Sequence, residues 1–245
     1  MNNYIDASQD LIHENNHNDI TRSVIYGYTQ VGEFHEIFGH PLHKELQTDI
    51  LQSKVNFRFS LINEEYNELI EAYSKQDHIE CIDAIMDLLY VTYGTYHTFG
   101  INIHQQNFSK INITNTDINY TLNMLSHHIF DLQAVCNATN KKFSLIQNEL
   151  KNIIEKCYFL AQLFNVSVDL CFSEVHRSNL TKVCDTEELA KESVKWYIQN
   201  EPRYKDPDYR KSTNPKYFVI YDRATSKILK SIKFELPNLK QFFKS

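Results

Sequence analysis

The chain has 245 residues and a hydrophobic fraction of 42%, enough to bury one large core or two small ones and too apolar for disorder throughout. Only 5 Gly and 5 Pro exclude collagen-like and low-complexity classes and argue against a turn-rich β-sandwich. With Lys+Arg at 25, Asp+Glu at 31 and a net charge of -6, no surplus of cations exists to displace counterions from a nucleic-acid duplex.

Residues 1–22 are Asn-rich and polar without a sustained period, which predicts a flexible arm. From Thr29, the positions Val31, Phe34, Ile37 and Phe38 have helical spacing, and Gly39 with Pro41 supplies a stop. A long second helix is expected over residues 42–74, where Leu51, Val55, Phe59, Ile62, Leu69 and Ile70 recur at intervals of three and four. Asp77 is a plausible N-cap for a third helix reaching Phe99, antiparallel to the second across Lys75 and Gln76.

Residues 101–115 are polar and β-branched, and helical patterns follow over residues 116–135 and 144–164. The stretch Phe99-Gly100-Ile101-Asn102-Ile103 is echoed by Phe164-Asn165-Val166-Ser167-Val168. Residues 101–164 therefore read as an inserted helical hairpin that returns the chain to the point it left. Two further helices are expected over residues 168–179 and 186–199, completing a helical domain over 23–200. In the extension 201–245, Tyr217–Tyr221 and Lys227–Ile232 are rich in β-formers around a polar turn, which predicts a small β-hairpin.

Five cysteines, odd in number and without a C-x-x-C pair, read as reduced, buried thiols of an intracellular protein. No signal-peptide pattern and no run of about 20 apolar residues is visible. A soluble, cytoplasmic protein without membrane contact is expected.

The chemistry concentrates in Glu64-Glu65-x-x-Glu68 on the second helix and Glu80-x-x-Asp83 on the third, with Asp87 one turn on. Each set shares one helix face, so two acidic patches meet across the hairpin. Like charges at these spacings repel by roughly 0.2–0.5 kcal/mol per exposed pair, and by more against a core. A Glu-x-x-Glu alone is ordinarily a solvated face. These acids instead adjoin core stripes, Leu61, Ile62, Leu69 and Ile70 on one helix and Ile82, Ile85, Leu88 and Leu89 on the other. Hard carboxylate oxygens without His or Cys select Mg²⁺, with Mn²⁺ as a substitute, and the natural ligand of such a site is a phosphate ester.

Glu64, Glu65, Glu68, Glu80 and Asp83 match the signature Glu-Glu-x-x-Glu, spacer, Glu-x-x-Asp. In this the chain resembles the all-α nucleoside triphosphate pyrophosphohydrolases, in particular their MazG-like and phosphoribosyl-ATP-diphosphatase-like branch. The stretches Asp83–Gly94, Phe34–Pro41 and Glu174–Lys182 carry the resemblance further, as do the two tail strands. The resemblance implies an all-α antiparallel bundle working as a homo-oligomer, a dimer or tetramer. It also implies hydrolysis of a nucleoside triphosphate to the monophosphate and pyrophosphate, in nucleotide-pool sanitation.

In that scheme Glu65, Glu68, Glu80 and Asp83 hold the metal, and Glu64 is the candidate base that takes a proton from water. Arg177, Asn179 and Lys182 grip the phosphates, and Phe34 and His35 line the nucleobase pocket. The alternatives are a phosphoribosyl-ATP diphosphatase and a catalytically silent helical interaction protein. A di-iron carboxylate bundle is excluded, because such proteins use two Glu-x-x-His pairs on core helices and Glu14-x-x-His17 lies in the arm.

Overall fold

The computed structural model describes residues 20–109, 117–139 and 141–243. In these, the chain forms seven α-helices and a small antiparallel sheet. The helices are α1 (Thr21–Phe38), α2 (Gln52–Ser74), α3 (His78–Phe99), α4 (Ile118–Asn137), α5 (Phe143–Leu163), α6 (Val168–Leu180) and α7 (Glu187–Asn200). The strands are β1 (Pro207–Lys211), β2 (Phe218–Asp222) and β3 (Ile228–Leu229).

α3 is the axis of the molecule, apolar on nearly every side beyond Asp83, and it packs against α1, α2, α5 and α6. Its threonines are compatible with that burial because Thr92, Thr95 and Thr98 donate to the carbonyls of Leu88, Val91 and Gly94 at 2.7, 2.9 and 2.8 Å. The Asp77 side chain accepts from the Glu80 amide at 3.2 Å, so the expected N-cap forms. The link to α2 is tight, with Gln76 at φ 58.

Three expectations need correction. The first helix starts at Thr21 rather than Thr29, because Ile20, Val24, Gly27 and Val31 already carry its buried stripe. The predicted arm therefore ends before Ile20, and residues 1–19 lie outside the described residues. The second helix starts at Gln52 rather than Leu42, since Leu42, Leu46 and Leu51 stay exposed and His43 and Gln47 donate instead to the carbonyls of His97 and Phe99. The tail has three strands instead of two. β1, all partly exposed and opened by a proline, pairs with β2 (Tyr209 opposite Ile220), and β2 pairs with β3 (Ile220 opposite Leu229).

The echo in the sequence corresponds to a repeated turn. Gly100 and Asn165 both adopt left-handed backbone at φ 65 and 57 after α3 and α5. Ile101 and Val166 then donate to the carbonyls of Tyr96 and Ala161, five residues back in each case. A Cβ at Gly100 would also run into the Glu45 backbone carbonyl. The inserted hairpin α4–α5 packs as a unit, with α5 against α3 and α4 against α2, inside one continuous apolar core. The hairpin thus covers much of the apolar surface of α2 and α3, while Phe57 and Ile70 on α2 stay exposed.

The tail returns to the helices. Arg210 and Ser212 donate to the carbonyls of Phe38 and Ile37, both at 2.5 Å, and Thr213 donates to that of Glu36, which satisfies the end of α1. All five cysteines are buried free thiols. No described helix is long and apolar enough to cross a membrane.

Candidate active site

α2 and α3 form an antiparallel hairpin whose polar faces bring Glu64, Glu65 and Glu68 opposite Glu80, Asp83 and Asp87. Glu64, Glu68 and Glu80 stand at the solvent edge, while Glu65, Asp83 and Asp87 are partly buried. Burial pushes the Glu65 carboxyl up to about 9, reinforced by Asp87, Glu68 and Glu64. Asp83 rises to about 7 for the same reasons, with Asp87 and Glu80 as its charged neighbours. Asp87 and Glu68 are also raised, first by burial. Four carboxyls thus resist ionising together.

Three ammonium groups frame this face. Lys182, in the turn after α6, acts on Asp87 and Glu65, and burial lowers its own pKa against their attraction. Lys227 Nζ lies 3.4 Å from Glu64 Oε1. Lys230 relieves Asp83 and Asp87, and sits 4.4 Å from the Phe234 ring centroid.

Of the residues expected to grip phosphate, Lys182 and Asn179 reach this face, the latter near the Tyr90 hydroxyl, which lies 3.0 Å from His176 Nδ1. Arg177 does not. Its Nε and Nη2 donate to Glu174 at 2.9 Å, its Nη1 to Glu235 at 2.6 Å, and it fastens the C-terminal segment to α6. Phe34 is buried, stacked on Phe38 at 4.2 Å and His40 at 5.7 Å, with Lys182 Nζ 5.9 Å from its centroid. His35 turns away: its Nδ1 lies 2.7 Å from the Pro41 carbonyl, and its ring packs against His97 and Arg58. Burial beside Arg58 holds it down to about 2, so it donates to Pro41 as the neutral ring.

Lys227 and Lys230 were not singled out from the sequence. Their signal was present in Lys227-Ile228-Leu229-Lys230, two cations bracketing a strand in an acidic chain.

The fit to a metal ion rests on Asp83, whose buried Oδ1 has no hydrogen-bond partner in the structure. An orphaned, acceptor-only oxygen in a set of hard carboxylates suits a Mg²⁺-type cation. Among the described residues, no three such side chains are already gathered about one point. A ligand set drawn from these carboxylates would need rotamer changes at Glu68 and Glu80, which stand at the solvent edge.

Helical fold and facing carboxylates together are of the MazG-like type. The model of the family described as phosphoribosyl-ATP pyrophosphohydrolase matches residues 31–112, which span all six carboxylates. An uncharacterised protein of Acanthamoeba polyphaga mimivirus is 31% identical over 234 residues, covering 86% of this chain and 93% of its own length. No solved structure matches the chain. The chain belongs to the phosphoribosyl-ATP pyrophosphohydrolase branch of the MazG-like nucleoside triphosphate pyrophosphohydrolase superfamily.

Proposed function

We propose that the protein hydrolyses a nucleoside triphosphate to the monophosphate and pyrophosphate, with Mg²⁺ or Mn²⁺, in nucleotide-pool sanitation. The carrying observation is a set of mutually repelling carboxyls facing one another across the α2–α3 hairpin, with a buried Asp83 oxygen that has no partner. A catalytically silent interaction protein would have no use for such a cluster, which costs stability.

Glu65, Glu68, Glu80 and Asp83 would hold the metal, which when bound neutralises phosphate charge and polarises the bond to be cleaved. Asp87, deepest of the six, is placed to steady that set from behind. Glu64 is the proposed base, exposed enough to meet water and oriented by Lys227. Lys182 would meet the phosphates, with Asn179 adding a hydrogen bond. Phe34, under Lys182, is the residue best placed to pack against a base or ribose, whereas His35 belongs to the core behind it.

The family description favours phosphoribosyl-ATP as a second substrate reading. A panel of canonical, deoxy and oxidised nucleoside triphosphates with phosphoribosyl-ATP, assayed with Mg²⁺ for monophosphate and pyrophosphate, separates the two. Release of inorganic phosphate instead, or undiminished turnover in excess EDTA, would overturn the proposal.

A further inference from the structure

A cleft of about 510 Å³ opens between the start of α2, the loop after α1 and the sheet. Its wall carries Lys54, Arg58, Arg210 and His40, and no Asp or Glu, in a chain with net charge -6. Arg58 is buried to 7% exposure. Its Nε donates to Thr95 Oγ1 at 3.2 Å and its Nη2 to the Val91 carbonyl. Among the described residues its Nη1 donates to nothing and no carboxylate pairs with it. A guanidinium buried without a counterion is costly, and an anion arriving from solvent would remove that cost.

Three further features point the same way. Arg210 donates to the carbonyls of Phe38 and Lys211, and it too has no acidic partner among the described residues. The N-terminal turn of α2 contributes Ser53 and Lys54 to the wall, and it has neither a capping side chain nor an acidic residue. The positive end of a 23-residue helix is thus left unneutralised there. Thr225 and Ser226 place hydroxyl-bearing residues on the opposite wall.

The cleft also adjoins the acidic face. Lys227, next to Ser226, reaches Glu64. Arg58 and Glu65 are seven residues apart on one face of α2, about 10.5 Å along its axis.

We infer that this cleft is a second anion site, which takes a phosphoryl group without a metal ion. The group is a phosphate ester or anhydride carried by the nucleotide, or inorganic phosphate or pyrophosphate free in solution. The inference goes beyond hydrolysis at the carboxylates, and the two are separable because carboxylates bind no polyanion once divalent metal is removed.

Calorimetric titration with inorganic pyrophosphate, and separately with inorganic phosphate, in excess EDTA tests it. Saturable binding is expected, weakening as salt rises and about tenfold or more in Arg210→Gln and in Lys54→Gln. Lys182→Ala, at the acidic face, is expected to leave it unchanged. Lys54 is exposed on the first turn of α2, so that variant remains informative if Arg210→Gln misfolds. Competition by a nucleoside triphosphate in EDTA assigns the phosphoryl group to the nucleotide, and its failure to compete assigns it to the free anion. No saturable binding, binding indifferent to Lys54 and Arg210, or binding lost in Lys182→Ala would overturn the inference.

Discussion

Asp83 keeps a partnerless buried oxygen among carboxyls that repel one another, so neutral isosteres should relieve the fold while disabling the site. Asp83→Asn and Glu68→Gln are expected to lower kcat by at least about a hundredfold, with metal-free stability unchanged or raised. Circular dichroism with activity assays checks both, and a large loss of helicity would mark these acids as structural. The cations divide in the same way. Lys182→Ala is expected to cost on the order of 1.5–3 kcal/mol in kcat/KM, about ten- to a hundredfold. Arg177→Ala should leave kcat/KM near wild type and lower stability by about 1 kcal/mol or less, because Arg177 and its partner Glu235 face solvent. The acidic set was legible in the sequence since helical spacing alone puts positions 64, 65 and 68 on one face. Arg177 was not, because one partner, Glu235, lies 58 residues downstream. His35 misled for a related reason: the groups that neutralise its role, Pro41 and Arg58, come from a loop and from another helix.

At the level of elements, α1, α2 and α3 close on each other at Gly94, where a Cβ would lie 2.8 Å from His35 Nε2 and run into the Arg58 guanidinium. Gly94→Ala is expected to destabilise by about 1–3 kcal/mol, measured by chemical denaturation, despite alanine's better helix propensity. The helices themselves were readable, down to the Asp77 cap and the hairpin link, because their apolar period repeats over many turns. Boundaries failed where burial departed from pattern. Leu42, Leu46 and Leu51 extend the apolar run yet stay exposed, since the segment is tied to the end of α3 by backbone hydrogen bonds. β1 had no β-branched residue to announce it and exists because β2 offers it an edge.

For the whole molecule, two sets of buried groups should shape stability against pH. Glu65 and Asp83 titrate higher folded, near 9 and 7, than unfolded, so they favour the folded state in acid and lose that contribution as pH rises. Burial holds His35, His40 and His97 down to about 2, 4 and 4, so these rings oppose folding as pH falls below their ordinary value. The metal-free protein is therefore expected to lose several degrees of Tm between pH 7 and 9, and Mg²⁺ to restore them. Below about pH 6 the histidines should begin to offset the gain that the carboxyls make on acidification. Thermal scans across pH, with EDTA and with Mg²⁺, check both limbs; a Tm that rises between pH 7 and 9 without metal would contradict the carboxylate assignment.

The two left-handed turns at Gly100 and Asn165 carry one more consequence. By delivering α4–α5 onto α2–α3, they make the covering of that part of the core a unimolecular event. The cover's effective concentration is then fixed by chain geometry, at a level ordinarily in the millimolar range for short connections, and the docking of the hairpin does not depend on expression level. Melting temperature and specific activity should accordingly hold constant over a hundredfold dilution, and a Tm that falls with dilution would show that the hairpin does not make the chain self-sufficient.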